Sequence, residues 1–205
     1  MNKHKQLSEI WKKNFGDEYT DRKLVVHKSE GTSREQFWHD LLSMVSGVKS
    51  VVEIGCNAGM NLEAIYKANQ KLEITGVEPN KYALGKAIEI SNGRYKVTDG
   101  NVFDLPPDLK ADMIFTCTVL IHISPKDLMS AMHRIYDAAN NVILIMEYYW
   151  PTLKEIEYRG LKSALWKQDY GATFLQNFDV ELIETGYLDA RDGFDRTTWW
   201  LFSKD

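Results

Sequence analysis

The chain is 205 residues long and 44% apolar, and its 25 basic and 29 acidic side chains leave a formal charge of −4. That length suits one domain with a core built around a sheet, and the apolar share is ordinary for a globular protein. The slight acidic excess argues against a broad nucleic-acid footprint, which shows as a basic face.

No stretch approaches the ~20 apolar residues of a membrane span, and the first residues hold no apolar signal core. A cytoplasmic monomer or homodimer with no membrane partner is therefore expected. Cys56 and Cys117 are too few for a disulfide framework and lack the partners of a zinc site. Reduced, buried thiols and no metal are the expectation.

Residues 1–47 are polar and aromatic and read as a helical cap on a single domain spanning 1–205. The run Ser50 to Ile54 has the β-branched character of a buried strand and stops at Gly55. A helix follows from about Gly59, with Leu62, Ile65 and Tyr66 on one face. The second strand, Leu72 to Val77, ends at Glu78-Pro79. Asn80 then caps a helix striped by Ala83, Leu84, Ala87 and Ile88, which Asn92-Gly93 terminates.

The alternation continues with short strands at Tyr95–Val97 and Ala111–Cys117. Ser124 at the N-cap, Pro125 at the first helical position and Asp127 in the first turn open another helix. Leu128, Met132, Ile135 and Tyr136 supply its inner face, and Asn141 to Met146 is a further strand. Thr152 and Glu155 form a capping-box pattern that predicts a helical section toward Trp166. Two runs, Val180 to Tyr187 and Thr197 to Phe202, flank the turn-rich residues 189–195 and predict a closing hairpin. Strands alternating with helices imply an α/β fold with a mostly parallel sheet covered on both faces.

The strongest local signal is Glu53-Ile54-Gly55-Cys56-Asn57-Ala58-Gly59, set between a strand and a helix. Open parallel sheets bind ligands outside the carboxyl ends of their strands. Gly55 permits a sharp turn, Gly59 lets the helix start tight against the strand, and asparagine tolerates the left-handed backbone that position 57 asks for. Glu78 ends the next strand, where a carboxylate accepts hydrogen bonds from both ribose hydroxyls of an adenosine cofactor. A helix cap or a solvated carboxylate is the plainer reading of Glu78.

A dinucleotide needs a pyrophosphate cradle, and here Asn57 and Met60 stand where its glycines would. S-adenosylmethionine (SAM) carries no phosphate and fits better. Asn101, with Val102 or Phe103 against the ring, follows the third strand where an adenine contact belongs; an ordinary polar loop explains the segment as well. Cys56, Pro79 and Cys117 complete the expected cofactor edge.

EIGCNAG, GVEPN and GNVFDLP resemble the successive cofactor motifs of class I SAM-dependent methyltransferases. WKKNFGDEYTDR, VLIHISP, EYYWPTLKEIEYRG, LWKQDYG and TTWWLF are similar to the small methylases associated with pseudaminic acid biosynthesis, and the likeness runs along nearly the whole chain. The resemblance implies a Rossmann-like, seven-stranded sheet finished by an antiparallel strand pair. It also implies SAM as cofactor, S-adenosylhomocysteine (SAH) as product, and a role near nonulosonic acid or other surface-glycan synthesis.

On that reading Tyr19 or Arg22 meets the SAM carboxylate and Trp11 packs as a lid, unless this is simply a docked N-terminal segment. His122 overlooks the methyl group as a base or substrate contact, with a satisfied structural histidine as the alternative; Glu147 is the second candidate base. Tyr148, Tyr149, Tyr158, Arg159, Trp166, Lys167, Asp169 and Tyr170 mix aromatic faces with charges, which suits a sugar or nucleotide sugar. Within this group Arg159 and Lys167 are placed to meet a carboxylate or phosphate; a surface salt-bridge cluster is the competing reading. His4, His27, His39 and His133 have no supporting constellation. The expected function is methylation, chiefly at oxygen, of a small polar acceptor. A non-catalytic SAM-binding scaffold and a NAD-dependent oxidoreductase are the alternatives, and the acidic balance disfavours a nucleic-acid or protein methyltransferase.

Overall fold

The structure, a computed structural model, describes residues 10–27 and 33–204. Two helices come first, α1 (Asn14–His27) and α2 (Ser33–Ser43). The alternating section follows as β1 (Ser50–Ile54), α3 (Met60–Ala68), β2 (Glu73–Glu78), α4 (Lys81–Ser91), β3 (Lys96–Asp99) and β4 (Ala111–Cys117). A 3₁₀ turn (Leu120–His122), α5 (Pro125–Ala138) and β5 (Ala139–Glu147) continue it. The chain ends with β6 (Lys154–Tyr158), β7 (Leu161–Lys167), α6 (Tyr170–Asn177), β8 (Val180–Leu188) and β9 (Thr197–Lys204).

Seven strands form one sheet in the order β3-β2-β1-β4-β5-β9-β8. The first five are parallel, β9 runs antiparallel to β5, and β8 runs antiparallel to β9. The expected closing hairpin is present. Because β8 turns back against β9, it points the same way as β5, and the loop after it reaches the carboxyl edge of the sheet. Strand order reverses between β1 and β4, so the ligand crevice of such a sheet opens there.

Side-chain alternation explains why helices cover both faces. Ile114, Ile143, Ile145 and Phe202 point to the side of α5 and α6, packing on Leu128, Met132, Ile135 and Phe174. Met113, Phe115, Leu144 and Leu201 point the other way, onto Trp38 and Leu41 of α2 and Leu62 and Ile65 of α3. Each of these buried side chains stabilises the fold by roughly 1.5–3 kcal/mol. Caps fix the helix ends: Asn80 Oδ1 accepts from the Ala83 N–H at 2.8 Å, and Asn92 closes α4 at φ +44°. Ser124 stands at the N-cap of α5, but its hydroxyl donates to the Asp127 carboxylate at 2.6 Å rather than capping backbone.

The helix expected between Thr152 and Trp166 is instead the two-stranded sheet β6-β7. Arg159 (φ +53°) and Gly160 (φ +78°) form its two-residue turn, the left-handed pair that twists correctly for a hairpin. Glu155 caps no helix; its Oε1 accepts from the Ser163 N–H and hydroxyl across the hairpin at 2.8 and 2.9 Å. Arg-Gly is a weaker turn signal than Asn-Gly, and the capping-box pattern outweighed it.

Candidate active site

β1 carries Glu53 and ends at Gly55, whose φ is +79°. A Cβ on Gly55 would lie 2.5 Å from Val119 Cγ2, so only glycine lets the loop after β4 approach. Asn57 takes the left-handed conformation at φ +48° and donates its backbone N–H to Glu78 Oε2 at 2.8 Å. The other oxygen of Glu78 accepts the Asn80 N–H at 2.8 Å. One buried carboxylate thus ties the ends of two adjacent strands together. Burial pushes its pKa up to about 7, against the pull of these two N–H groups.

Glu53 is 2% exposed. Its Oε1 accepts from Asn61 Nδ2 at 2.7 Å, while its Oε2 has no hydrogen-bond partner among the described residues. Burial raises its pKa to about 8; the Asn61 bond and Arg34 oppose that shift, and Glu78 adds to it. Arg34, from α2, donates to Asn61 Oδ1 at 2.7 Å and to the Gly193 carbonyl, with its guanidinium 4.2 Å over the Phe194 ring. A cation, an amide and a half-satisfied carboxylate therefore stand in a row at the end of β1.

After β3, Asn101 Oδ1 accepts the Phe103 N–H at 2.8 Å and its Nδ2 contacts the Asp104 carboxylate. The amide holds its own turn, where the sequence suggested a direct base contact.

The end of β4 is strained: Thr118 has φ +57°. Glu147 secures the turn beyond it. Its Oε1 accepts from the Thr116 hydroxyl (3.0 Å) and the N–H groups of Val119 (3.1 Å) and Leu120 (3.0 Å). Its Oε2 accepts from Ile121 at 3.2 Å. Burial raises this carboxyl to about 7. Glu147 is fully buried and does not line the cavity, so a residue read as a second base instead positions the neighbouring loop.

His122 Nδ1 lies 2.7 Å from the Ala164 carbonyl and must carry the proton there, leaving Nε2 as the acceptor. The ring packs between Trp11 (4.4 Å) and Tyr158 (5.3 Å), and burial lowers its pKa to about 4.

The N-terminal segment roofs this edge. Asn80 Nδ2 donates to the Trp11 carbonyl and Asp17 Oδ1, both at 2.8 Å, and Asn57 Nδ2 donates to the Thr20 hydroxyl at 2.9 Å. Lys23 pairs with Asp195 at 2.6 Å. Burial pushes the Tyr19 hydroxyl, which is hydrogen-bonded to the Thr118 side chain, well up.

These groups enclose one cavity of about 200 Å³. Every expected cofactor residue except Arg22 and Gly59 lines it, and so does His122. Gly59 sits behind the loop as the left-handed N-cap of α3, and the Arg22 guanidinium lies 5.8 Å over the Tyr19 ring.

The expected acceptor residues are more scattered. Tyr148 and Lys167 line a recess that shares Asp195 with the cavity, and Tyr158 belongs to the aromatic roof. Asp169 caps α6 by accepting the Ala172 N–H at 2.8 Å, and Trp166 is buried, with its carbonyl accepting the Tyr170 hydroxyl at 3.0 Å. Arg159 is at the exposed hairpin tip, and Tyr149 is exposed beside Trp200. His39 pairs with Asp40 on the surface and His133 packs on Phe178; His4 lies outside the described residues.

Sequence reasoning missed Lys23, Arg34, Asn61, Phe194 and Asp195, all of which line the cavity. Asn61 had a local signal, the first turn of the helix after the glycine loop. Asp195 had a topological one, the loop following a strand parallel to β5. The described residues hold no cluster of His, Cys, Asp and Glu able to bind a metal, and both cysteines are free.

The same architecture recurs in solved structures. Magnesium protoporphyrin IX methyltransferase of Synechocystis PCC 6803, solved with bound SAH, superposes with a TM-score of 0.73 at 13% identity, over 98% of this chain and 99% of that one. The 1,6-didemethyltoxoflavin-N1-methyltransferase of Burkholderia thailandensis, with its acceptor and SAH, gives 0.77 at 12% identity, over 100% and 91%. The chain has a methyltransferase fold. The N-terminal domain of EvdMO1, solved with SAH and D-fucose, shares this methyltransferase fold at a TM-score of 0.62 and 15% identity, over 84% and 82%. Residues 52–141 match a methyltransferase domain family, a stretch that includes the loops after β1, β2, β3 and β4 that line the cavity. No curated protein sequence matches the chain.

Proposed function

We propose that this chain is a SAM-dependent methyltransferase acting on an oxygen of a small polar acceptor: a sugar, nonulosonic acid or nucleotide-sugar intermediate of surface-glycan synthesis in the cytoplasm. The observation that carries the reading is the pair of buried carboxylates on adjacent strand ends, Glu78 facing the cavity and Glu53 with one oxygen unpaired. An ammonium satisfies that oxygen, and Arg34 beside it suits a carboxylate, so the two would hold the aminoacyl end of SAM. Glu78 would take the ribose hydroxyls, and Asn101, Val102 and Phe103 would border the adenine. Bound SAM supplies an electrophilic methyl group on its sulfonium.

The remaining work belongs to the chain. Trp11, Tyr19 and His122 exclude water above the crevice and hold the acceptor in line. Neutral His122 offers Nε2 to the acceptor hydroxyl proton. The sugar assignment draws on the resemblance of the acceptor-side segments and on the EvdMO1 domain, which was crystallised in the presence of D-fucose.

Calorimetric titration with SAM, SAH and NAD tests the cofactor, and radiolabelled methyl transfer to sugar acceptors tests turnover. Binding of SAM and SAH but not NAD, lost in Glu78→Ala, supports the reading. NAD binding alone would move the chain to the oxidoreductases. SAM binding without transfer to any acceptor would leave a non-catalytic binding protein.

A further inference from the structure

Beside the cofactor cavity lies the recess lined by Tyr148, Lys167, Asp195 and Arg196, with Asp195 forming a wall of both. The charges in it do not cancel. Lys23 neutralises Asp195 at 2.6 Å, and the Tyr148 hydroxyl donates to the same carboxylate oxygen at 3.4 Å. That leaves two cations. The half-buried Lys167 places its ammonium 5.1 Å over the Tyr148 ring and joins no ion pair among the described residues. Arg196, exposed at the rim, donates no hydrogen bond within them. The nearby Asp189 carboxylate is already held by Arg191 at 2.9 Å. Arg196 acts on Asp189 only through space, so an ammonium outside any ion pair and a guanidinium with unused hydrogen-bond donors, next to a phenol, form a donor set for an oxyanion.

We infer that this recess is the anchoring subsite for an anionic group, a carboxylate or phosphate, on the acceptor, holding it while another part of the molecule enters the cavity past Asp195. The inference rests on the methyltransferase reading for its purpose, though the anion site itself can be measured separately. It replaces the expected Arg159 partner of Lys167 by Arg196, because the β6-β7 turn carries Arg159 away to the hairpin tip.

The test is an NMR titration of the full chain, with and without SAH, using inorganic phosphate at constant ionic strength. Acetate in a parallel titration separates a carboxylate subsite from a phosphate one. Saturable shifts centred on Tyr148, Lys167 and Arg196 are expected with at least one of the two anions. Lys167→Gln combined with Arg196→Gln should weaken that binding by about tenfold or more and leave SAH affinity unchanged. Lys167→Arg should retain the anion response. Shifts that never saturate, or that persist in the double variant, would overturn the subsite. Failure of SAH to bind would count against the methyltransferase reading alone, since the anion titration proceeds on the ligand-free chain.

Discussion

On one side of the cavity, the two buried carboxylates are each held by a neighbour from the same or the adjacent strand end. Glu53 meets Asn61 eight positions on, and Glu78 meets the backbone of Asn80 and Asn57. On the other side, the contacts join segments 42 to 172 positions apart. Lys23 reaches Asp195 over 172 positions, Tyr148 reaches it over 47, and His122 is anchored by Ala164 over 42. The first wall is an extension of a buried parallel sheet. The second is a set of docked segments joined by single hydrogen bonds and aromatic contacts, which places it at the low-stability end of the fold. Binding of a common cofactor suits the first, and acceptor choice, which varies while the fold persists, suits the second.

The widest separation between the two sides should come from Glu78→Ala. Losing two hydrogen bonds to a charged acceptor, at about 1.5–3 kcal/mol each, weakens SAH by about 10²-fold or more in calorimetry. Asp195→Ala, on the docked side, should leave SAH affinity within about threefold and lower turnover instead. Equal losses of SAH affinity in both variants would erase the distinction.

Glu147→Gln probes the seam between the sides, because its carboxylate holds the turn carrying His122 from beneath. The new amide sets an N–H against that of Ile121 or gives up the three bonds on Oε1. A destabilisation of about 1–3 kcal/mol is expected, read as a fall in melting temperature of roughly 2–4 °C per kcal/mol for a chain of this size. Turnover should fall more than SAH affinity. An unchanged melting temperature would mean the turn stands without its carboxylate.

The same contrast explains what the sequence disclosed. Gly55, Asn57 and Glu78 were readable because each backbone demand is local: a turn, a left-handed residue, an acid at a strand end. The sheet was readable because buried parallel strands are continuous apolar runs. Arg34 was not, since nothing in its helix marks it as the neighbour of Asn61 until the core seats Trp38 four residues on. Glu147 looked like a base because it ends a strand at the right edge; only the fold reveals that four donors already claim it. The β6-β7 hairpin hid behind a capping-box pattern, and with it went the true surroundings of Arg159 and Asp169.

His122→Gln should have a smaller effect. A proton acceptor matched to the working pH contributes about 10²–10⁴-fold, but burial holds this imidazole at about 4, far below neutrality. About a tenfold loss in kcat is expected, with SAH affinity unchanged. Because a depressed pKa leaves the ring neutral above about pH 5, wild-type kcat should show no titration between pH 6 and 8 from this group. A kcat limb near pH 6.5 that disappears in the variant would show that the ring is far less shielded than its packing against Trp11 and Tyr158 implies.

The gentlest test concerns Glu53. Its folded, ligand-free pKa is raised to about 8, so near neutral pH the carboxyl is largely protonated inside the cavity. In the unfolded chain it ionises near the usual carboxylate value, so this group's contribution to stability falls as pH rises from there toward 8. Pairing with the ammonium of SAH requires the ionised form. Below pH 8, binding must therefore remove a proton, and affinity should weaken as pH falls, by at most about tenfold per pH unit. Calorimetry between pH 6 and 8 should show SAH binding tightening with pH in the wild type, with a flat profile in Glu53→Gln. A wild-type profile as flat as the variant's would mean that the unpaired oxygen is satisfied by something other than the cofactor's amine. The firm side of the cavity would then end at Glu78.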